Sequence, residues 1–337
     1  MIGQIALRFE KICSRLIPAG VWQRYFRFKI ARNAGVSLET AEKRISAEYV
    51  RSGSGTRISW EDPESYTEKL NVSKLYGGTP LRAVLSDKLA VRDWVAQKAG
   101  DGYLIPLYGS FESFGDIDLS ALPDSFVLKC NHDSGSVTLI RDKREIDRKE
   151  RRRLRKKYAF HLKKRYAYIG FELHYDLIKP CILAEKYMGD NISDYKFFCF
   201  GGKPYYVAVH YDRAKGHKCN IYDMDWEPQP FVTNDANGKE QLPRPEAFSE
   251  MKTLAEKLCK GFDHVRVDLY EIDGKVYFGE MTFTPAGGRM RITPPEWDRK
   301  LGELWDFDAG RRQRIREKLK TTAQLVAVMR KRAQRKA

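Results

Sequence analysis

A hairpin pattern in residues 262–288 constrains the fold of this chain more than any other feature. Two strand-like segments flank an Asp273-Gly274 turn. In both segments apolar residues alternate with charged or polar ones, and successive side chains of a strand point to opposite faces. One face is therefore predicted to lie in a core, with the residues Val265, Val267, Leu269, Met281 and Phe283.

The polar residues of this hairpin are Arg266, Asp268, Glu280 and Thr282. A two-residue Asp-Gly turn with regular pairing would place Asp268 and Glu280 on opposite faces. A three-residue loop, 272–274 with Gly274 left-handed, would put all four on one face, so we expect the longer loop. Two adjacent carboxylates repel each other unless a cation lies between them, and hard oxygen ligands suit Mg²⁺. An exposed charged hairpin that binds nothing is the competing interpretation.

The composition is that of a globular protein. The chain has 337 residues, 42% of them hydrophobic, which is enough for one large unit or two to three smaller ones. Its six cysteines show no Cys-x-x-Cys spacing, which argues against a zinc site or a disulfide framework and is typical of a reducing cytosol. No apolar run approaches the roughly 18 residues of a membrane-spanning helix.

The net charge of +16 is concentrated at the two ends of the chain. Residues 1–51 contribute +6 and residues 311–337 contribute +10, so residues 52–310 are neutral as a whole. Basic, amphipathic ends suit an anionic membrane surface, and no recognised motif supports nucleic-acid binding. We therefore expect a cytoplasmic protein without a nucleic-acid partner. Peripheral contact of the ends with the inner face of the cell membrane is a hypothesis; a helix at 2–30 that packs on its own domain is an equally good interpretation.

A second basic stretch lies inside the chain. Residues 141–165 hold fourteen Lys or Arg residues against four acidic ones, in a helix-like run. A solvated helical face is the default interpretation. The functional alternative is a docking surface for an anionic glycan or lipid head group.

A small-residue loop, 131–136, joins the strand patterns 126–130 and 137–141. Such a loop can present backbone N–H groups to phosphate oxygens, and Lys129 at the end of the first strand would add a positive charge. The loop lacks the GxxxxGK[ST] pattern of a Walker A motif, and His132 is predicted to be a hydrogen-bonding loop residue rather than a metal ligand.

Six segments in order resemble the ATP-grasp superfamily, and among its members the teichuronopeptide-biosynthesis (TupA-like) branch. They are EKLNVSKLYG, SDKLAVRDWV, FVLKCNHDSG, ILAEKYM, DYKFFCFGGK and VRVDLYEIDGKVYFGEMTFTPAGG, from Glu68 to Gly288. The resemblance implies an α+β fold, in which two α+β subdomains clasp ATP, with helical extensions at both ends. The implied division is a basic helical extension (1–51), an N-terminal α/β region (52–125), the ATP-grasp domain (126–290) and a basic helical extension (291–337).

The resemblance also implies which residues bind the nucleotide. Lys88 and Lys129 are similar to the two lysines that reach the phosphates and the adenine edge. The phosphate-covering loop corresponds to Ser134, Gly135 and Ser136. The adenine-binding segment corresponds to Glu185, Lys186, Tyr187 and Met188, where Glu185 would accept from the adenine amino group.

Further implied roles concern the metal and the reaction. Asp194 and Lys196 resemble the pair at the ribose and the terminal phosphate, and Arg266 resembles the arginine that steadies charge on the γ-phosphate. Asp268, Glu280 and Thr282 match the Mg²⁺ ligands, although most ATP-grasp ligases have asparagine where this chain has Thr282. A hydroxyl is a weaker ligand than an amide oxygen, which puts a second Mg²⁺ in doubt.

The reaction implied by the resemblance is carboxylate–amine ligation through an acylphosphate, in cell-surface polysaccharide biosynthesis. The substrates would be a uronic-acid-type or lipid-linked glycan and an amino acid or amine. Candidate substrate residues are His210, Arg213 and Trp226. The alternatives are an ATP-grasp kinase that phosphorylates a sugar hydroxyl, a glycosyltransferase-associated protein for which Asp223-Met224-Asp225 is a weak DxD motif, and a binding module without ATP turnover.

Overall fold

The computed structural model describes residues 19–190, 192–212, 216–234, 238 and 240–335. Residues 2–18 of the predicted N-terminal helix and the candidate substrate residue Arg213 lie outside this part of the chain. The helices are α1 (Ala19–Asn33), α2 (Leu38–Ser52), α3 (Tyr66–Tyr76), α4 (Pro80–Ser86), α5 (Val91–Ala99), α6 (Arg148–Lys163), α7 (Ala167–Gly170), α8 (Phe248–Cys259), α9 (Glu296–Glu303), α10 (Gly310–Lys318) and α11 (Thr322–Gln334). The strands are β1 (Leu107–Phe111), β2 (Phe126–Cys130), β3 (Thr138–Ile140), β4 (Ile182–Lys186), β5 (Asp194–Phe200), β6 (Lys203–Tyr211), β7 (Lys218–Asp223), β8 (His264–Ile272) and β9 (Lys275–Thr282).

A four-stranded antiparallel sheet in the order β1-β4-β2-β3 forms the first half of the fold. Helix α6 covers one face through Leu154 and Tyr158, which lie in one core with Phe126 and Leu128. Strand β1 precedes residue 126, so this sheet draws on both the predicted N-terminal region and the predicted ATP-grasp domain.

A five-stranded antiparallel sheet in the order β7-β6-β5-β8-β9 forms the second half. Both faces of this sheet are covered, as the alternating side chains of β5 show. On one face, Tyr195, Phe197 and Cys199 pack with α8. On the other face, Phe198 and Phe200 pack with α3 and α9. The five hairpin residues predicted for the core lie in the first of these clusters, so that prediction is confirmed.

The turn of the β8–β9 hairpin differs from the expected one. Ile272 pairs directly with Lys275, which leaves a two-residue loop whose Asp273 and Gly274 have φ of 52° and 72°, the positive values that a type I′ turn requires. The predicted three-residue loop is therefore wrong. The polar residues nevertheless share a face, because the register shifts by one residue between the Asp268–Glu280 pair and the next pair. A β-bulge in β9, rather than a longer loop, therefore brings the four polar residues to one face of the hairpin.

The two helical ends of the described chain pack together. Ser37 and Thr321 form an antiparallel bridge, and α2 and α11 share a core with α3. Glu42 in α2 accepts hydrogen bonds from Arg312 and Arg316 at 2.7 Å each. Part of the basic C-terminal charge is therefore used inside the fold. Among the described residues, no helix combines the length and apolar character needed to cross a membrane.

Candidate active site

The polar face of the β8–β9 hairpin forms a compact cluster of charges. Arg266 Nε donates to Asp268 Oδ1 at 2.6 Å and Arg266 Nη2 donates to Asp268 Oδ2 at 2.7 Å, the two-pronged geometry of a strong arginine–carboxylate pair. Lys196 Nζ, from the adjacent strand β5, lies 2.5 Å from Asp268 Oδ2 and 2.6 Å from Asp194 Oδ2. Two cations therefore hold Asp268, whose side chain is 1% exposed.

Glu280 and Thr282 complete this cluster from strand β9. Thr282 Oγ1 donates to Glu280 Oε1 at 2.9 Å, and Arg266 Nη2 lies 3.3 Å from each of those two oxygens. The Glu280 side chain is 41% exposed, against 11% for Arg266. Glu280 is thus the carboxylate of the cluster that faces open space.

The cations of this cluster keep their protons. Burial alone would lower the pKa of Lys196, but the charges of Asp268 and Asp194 outweigh it and raise that pKa above its ordinary value. The same balance raises the pKa of Arg266, for which the main opposing group is Asp268. Fixed positive charges beside an exposed carboxylate suit a ligand that brings both negative charge and a metal ion.

The donor atoms fit Mg²⁺ in chemistry, since Asp268, Glu280 and Thr282 offer only hard oxygen ligands. Both oxygens of Asp268, however, already accept from Arg266 or Lys196. Within the described part of the chain, no group of three His, Cys, Asp or Glu side chains is arranged to hold a metal ion. A cation here would need further oxygens from a phosphate ligand, as Mg²⁺ commonly takes, and the metal roles stay predictions.

On the first sheet, Lys129 and Glu185 meet across β2 and β4. Lys129 Nζ lies 2.5 Å from Glu185 Oε2, and Arg92 Nη1 lies 3.8 Å from the other oxygen of Glu185. The Glu185 carboxylate therefore points at Lys129 and Arg92. An adenine amino group that bound this carboxylate would have to share it with these two cations. The backbone N–H of Lys186 donates to the carbonyl of Pro106, while Tyr187 and Met188 follow the end of β4 and are half-buried.

Lys88 joins the two halves of the site. It lies in the turn between α4, which ends at Ser86, and α5, which begins at Val91. Lys88 Nζ donates to the Asp133 carbonyl at 2.9 Å. Burial lowers the pKa of Lys88, and Glu280 is the carboxylate that most opposes this shift, while Lys129 adds to it. Groups from both sheets thus act on one buried ammonium group.

The predicted phosphate-covering loop is tied down more firmly than expected. Ser134 and Gly135 are exposed, and Gly135 has φ of 89°. Ser136, in contrast, is buried: its Oγ donates to Asp133 Oδ1 at 2.7 Å and accepts from the Cys130 N–H at 2.9 Å. A phosphate contact through the Ser136 hydroxyl would require this pair of bonds to break, so the backbone of Ser134 and Gly135 is the better-placed part of the loop.

The candidate substrate residues are less well placed. Trp226 is buried in the core, stacks on Tyr222 with ring centroids 4.3 Å apart, and donates from Nε1 to the Leu242 carbonyl. A sugar cannot stack on it without unpacking that core, so the geometry does not favour the substrate role of Trp226, which stays a prediction. His210 is 9% exposed and lies 2.9 Å from His217.

The weak DxD motif has a structural explanation. Asp223 Oδ1 accepts from the backbone N–H groups of Asp225 and Glu227 at 2.9 Å each. These bonds close a turn after β7, which is a common use of aspartate.

Sequence reasoning missed the support of the loop at 131–136. Asp133 Oδ2 lies 2.5 Å from both His161 Nδ1 and Lys164 Nζ, at the end of α6 and just beyond it. Burial would raise the pKa of Asp133, but the hydrogen bond from His161 and the charge of Lys164 hold it well below its ordinary value. Lys164 looked like one more member of a basic run, and only the buried Asp133 opposite it gives it a distinct role.

The loop after β9 also has support that the sequence did not reveal. From helix α3, Asn71 Nδ2 donates to the Gly288 carbonyl at 2.7 Å and Lys74 Nζ donates to the Gly287 carbonyl at 2.8 Å. Burial lowers the pKa of Lys74 to about 8, although Glu48 and Glu172 oppose the shift. The family resemblance included the α3 segment but assigned it no role. Its contacts show that it holds the backbone of Gly287 and Gly288, in the loop that follows β9.

Solved structures with a similar fold are distant. An L-amino acid ligase from Bacillus licheniformis is 14% identical, with coverage of 74% of this chain and 56% of that chain and a TM-score of 0.41. A D-alanine–D-alanine ligase from Bacillus anthracis, complexed with ATP, is 18% identical, with coverage of 60% and 55% and a TM-score of 0.36. This chain thus spans a little over half the length of these two ligases. No curated protein matches the chain.

The family model described as "TupA-like ATPgrasp" matches residues 68–306. That range contains both sheets and every charged residue of the cluster on β5, β8 and β9. This match, and not the distant structural likenesses, assigns the chain: it belongs to the TupA-like ATP-grasp family and has the α+β ATP-grasp fold.

Proposed function

We propose that the protein is an ATP-dependent ligase that joins a carboxylate to an amine through an acylphosphate. The observation that carries the proposal is the convergence of Arg266, Lys196 and the exposed Glu280 around Asp268. Phosphoryl transfer requires mainly positioning and neutralisation of charge, and this convergence offers both. Family membership supports ATP as the nucleotide.

In this proposal each residue has a defined task. Lys88 and Lys129 contact the phosphates, the backbone at 134–135 covers them, and the segment 185–188 contacts adenine. Asp194 and Lys196 orient the ribose and the terminal phosphate. Arg266 and Lys196 stabilise negative charge as the γ-phosphoryl group moves to the substrate carboxylate. Mg²⁺, when held by Asp268, Glu280 and Thr282, neutralises further phosphate charge.

No side-chain nucleophile is required, because the substrate carboxylate attacks the phosphorus and the amine then displaces phosphate. The cysteines fit this view. Burial raises the pKa of the Cys130 thiol to about 12 and that of Cys181 to about 11. Both thiols therefore stay protonated and poorly nucleophilic at neutral pH.

The substrates are proposed from the family resemblance: a uronic-acid-type carboxylate on a glycan, and an amino acid or amine, in cell-surface polysaccharide biosynthesis. The site would work in the cytoplasm, with the basic ends, 1–51 and 311–337, against the anionic inner face of the membrane. Residues 126–290 would form the ATP-grasp domain proper, with β1 supplied by the region 52–125.

The test is an assay of purified protein with Mg-ATP and a panel of uronic acids and amino acids. We expect ATP-dependent release of free phosphate together with an amide product. The mass of that product should equal the summed masses of the uronic acid and the amine, less the mass of one water molecule. A phosphorylated sugar without free phosphate would instead identify a kinase. No ATP turnover with any pair of substrates, in protein that binds ATP, would contradict the ligase proposal.

A further inference from the structure

Helix α6 supports the phosphate-covering loop with its inner face. Lys157 Nζ donates to the Val137 carbonyl at 2.9 Å and to Thr138 Oγ1 at 2.8 Å. The Tyr158 hydroxyl lies 2.9 Å from the Leu128 carbonyl and 3.1 Å from the Ser136 carbonyl. Together with the contact between His161 Nδ1 and Asp133 Oδ2, these contacts fix one side of α6 on the β2–β3 hairpin.

The outer face of α6 carries cations for which the described chain offers no partner. Six residues are exposed there whose side chains make no hydrogen bond or ion pair with any described residue: Arg148, Lys149, Arg151, Arg152, Arg155 and Lys156. They occupy about 13 Å of helix, at a rise of 1.5 Å per residue. The neighbouring Arg153, in contrast, pairs with Glu150.

This charge accumulation opposes the stability of the helix. Arg148 and Arg152, like Arg151 and Arg155, are four residues apart on one face, where like charges repel. The cations also crowd the first turns of the helix, where the helix dipole favours negative charge. Folding therefore does not explain them, whereas an anionic partner would compensate both costs.

The chemistry of this face favours a soluble polyanion over a lipid bilayer. Of the large apolar residues of the helix, Leu154 and Tyr158 are buried against the sheet and Phe160 and Leu162 are half-buried, so the outer face presents no exposed large apolar side chain to insert between lipids. Helix α1 differs in this respect, because Val21, Tyr25 and Phe28 are exposed on one side of it. The α6 face also consists mainly of arginine, whose planar fork matches carboxylates.

We propose that the outer face of α6 docks a polyanionic glycan that carries carboxylates on successive sugars. This inference rests on the proposed function, since it identifies the carboxylate substrate as one unit of a charged polymer rather than a free sugar. The polymer binds along the helix on the side opposite the phosphate-covering loop. Docking there raises the local concentration of carboxylates near the nucleotide without any contact between α6 and the reacting atoms.

The experiment measures the binding of a fluorescently labelled oligogalacturonate by anisotropy, without nucleotide, at low and high salt. The test variant combines Arg148→Glu, Arg152→Glu and Arg155→Glu, and a milder version replaces the same three residues with Gln. The matched control combines Lys203→Glu, Lys257→Glu and Lys260→Glu, exposed lysines of the second half with the same change of charge. Thermal unfolding checks that each variant is folded.

We expect salt-sensitive binding that is about tenfold weaker in the Glu variant, measurably weaker in the Gln variant, and little changed in the control. Neutral dextran oligomers should not bind. An equal loss of oligogalacturonate affinity in the control and in the α6 variant would overturn the inference, because the loss would then follow from the net charge of the protein rather than from the α6 face. It would also be overturned if anionic phosphatidylglycerol vesicles, and not oligogalacturonate, bound in an α6-dependent manner.

The two proposals fail separately. Ligation of a monomeric uronic acid tests the proposed function without α6. If monomer ligation occurs but the polymer does not bind through α6, only the docking inference is wrong. If the polymer binds through α6 but no amide forms from any uronic acid, only the ligase proposal is wrong.

Discussion

Asp268 and Glu280 lie directly opposite each other on neighbouring strands, because Gly279 is an extra residue in β9. Asp268 pairs with Glu280, whereas the next pair is Leu269 with Phe278, which leaves Gly279 unpaired at the bulge. A Cβ atom on Gly279 would lie 2.9 Å from the Asp268 carbonyl and 2.9 Å from the Tyr270 ring. The bulge therefore needs a residue without a side chain at this position.

The variant Gly279→Ala tests whether this bulge positions the cluster. The added methyl group must push against the backbone of Asp268, so we expect a loss of about 1–3 kcal/mol in the free energy of unfolding. Because Glu280 is the next residue, ATP-dependent phosphate release should fall by more than the stability loss explains. Denaturant unfolding and steady-state kinetics measure the two effects. Gly102→Ala is the control, since its added Cβ meets nothing within 4 Å. Equal activity in the two variants would contradict the role of the bulge.

Lys129→Met should weaken ATP binding strongly. The substitution keeps much of the side-chain volume, but it removes the charge proposed to contact the phosphates. It also leaves the buried Glu185 carboxylate with Arg92, at 3.8 Å, as the other described cation within 4 Å. An unbalanced carboxylate at the site would repel ATP. We expect the ATP affinity to fall at least tenfold in calorimetry. Lys98→Met, an exposed lysine of α5, should bind as the parent does; equal affinities in both variants would show that Lys129 does not contact the nucleotide.

Asp133→Asn should loosen the loop at 131–136. The change leaves the buried Lys164 ammonium without its carboxylate, which we expect to cost about 3 kcal/mol of unfolding free energy. The pKa of Asp133 is depressed in the folded protein, so its stabilisation is present above its unfolded pKa of about 3.9 and is lost as the pH falls toward the folded value. The difference in unfolding free energy between parent and variant should therefore shrink as the pH falls from about 4 toward about 2. Urea unfolding across this range measures it, and a difference that grows at low pH would contradict the ion pair.

Lys74 predicts a second pH effect, at alkaline pH, in which stability again rises with pH. Its folded pKa of about 8 lies below its unfolded value of about 10.4. Between these values the unfolded state binds more protons, so stability should rise with pH, by about 2 kcal/mol from this residue. Lys74→Met removes this contribution, since methionine does not titrate. Urea unfolding at pH 7 to 10 should show the parent gaining stability relative to the variant; parallel curves would indicate that Lys74 titrates normally.

Local patterns predicted much of the site from the sequence. Strict alternation in β8 and β9 assigned Val267 and Met281 to the core, and it placed Arg266 and Asp268 on one face. The family resemblance, rather than the residues themselves, assigned Lys129 and Glu185 to the nucleotide site. They lie on different strands, and only the sheet order brings them within 2.5 Å.

The failures share a physical cause. A bulge glycine such as Gly279 looks like any other glycine in a strand, so regular pairing was assumed and the turn was extended to compensate. Trp226 follows a short acidic turn that resembles an exposed loop, and its burial depends on Tyr222 and on Leu242 from a later segment. The partners of Asp133, His161 and Lys164, are about thirty residues away, in and just beyond a helix whose composition favoured a solvated face. In each case the deciding contact is long-range, and local sequence does not encode it.

The central claim is that Asp268 and Glu280 hold the metal ion of a bound nucleotide. Calorimetric titration of ATP, with and without Mg²⁺, tests it in the parent protein and in the double variant Asp268→Asn, Glu280→Gln. We predict that Mg²⁺ tightens ATP binding at least tenfold in the parent and has no such effect in the variant, which should still bind metal-free ATP because Arg266 and Lys196 remain. The same tightening by Mg²⁺ in the double variant, or no ATP binding by the parent, would contradict the account.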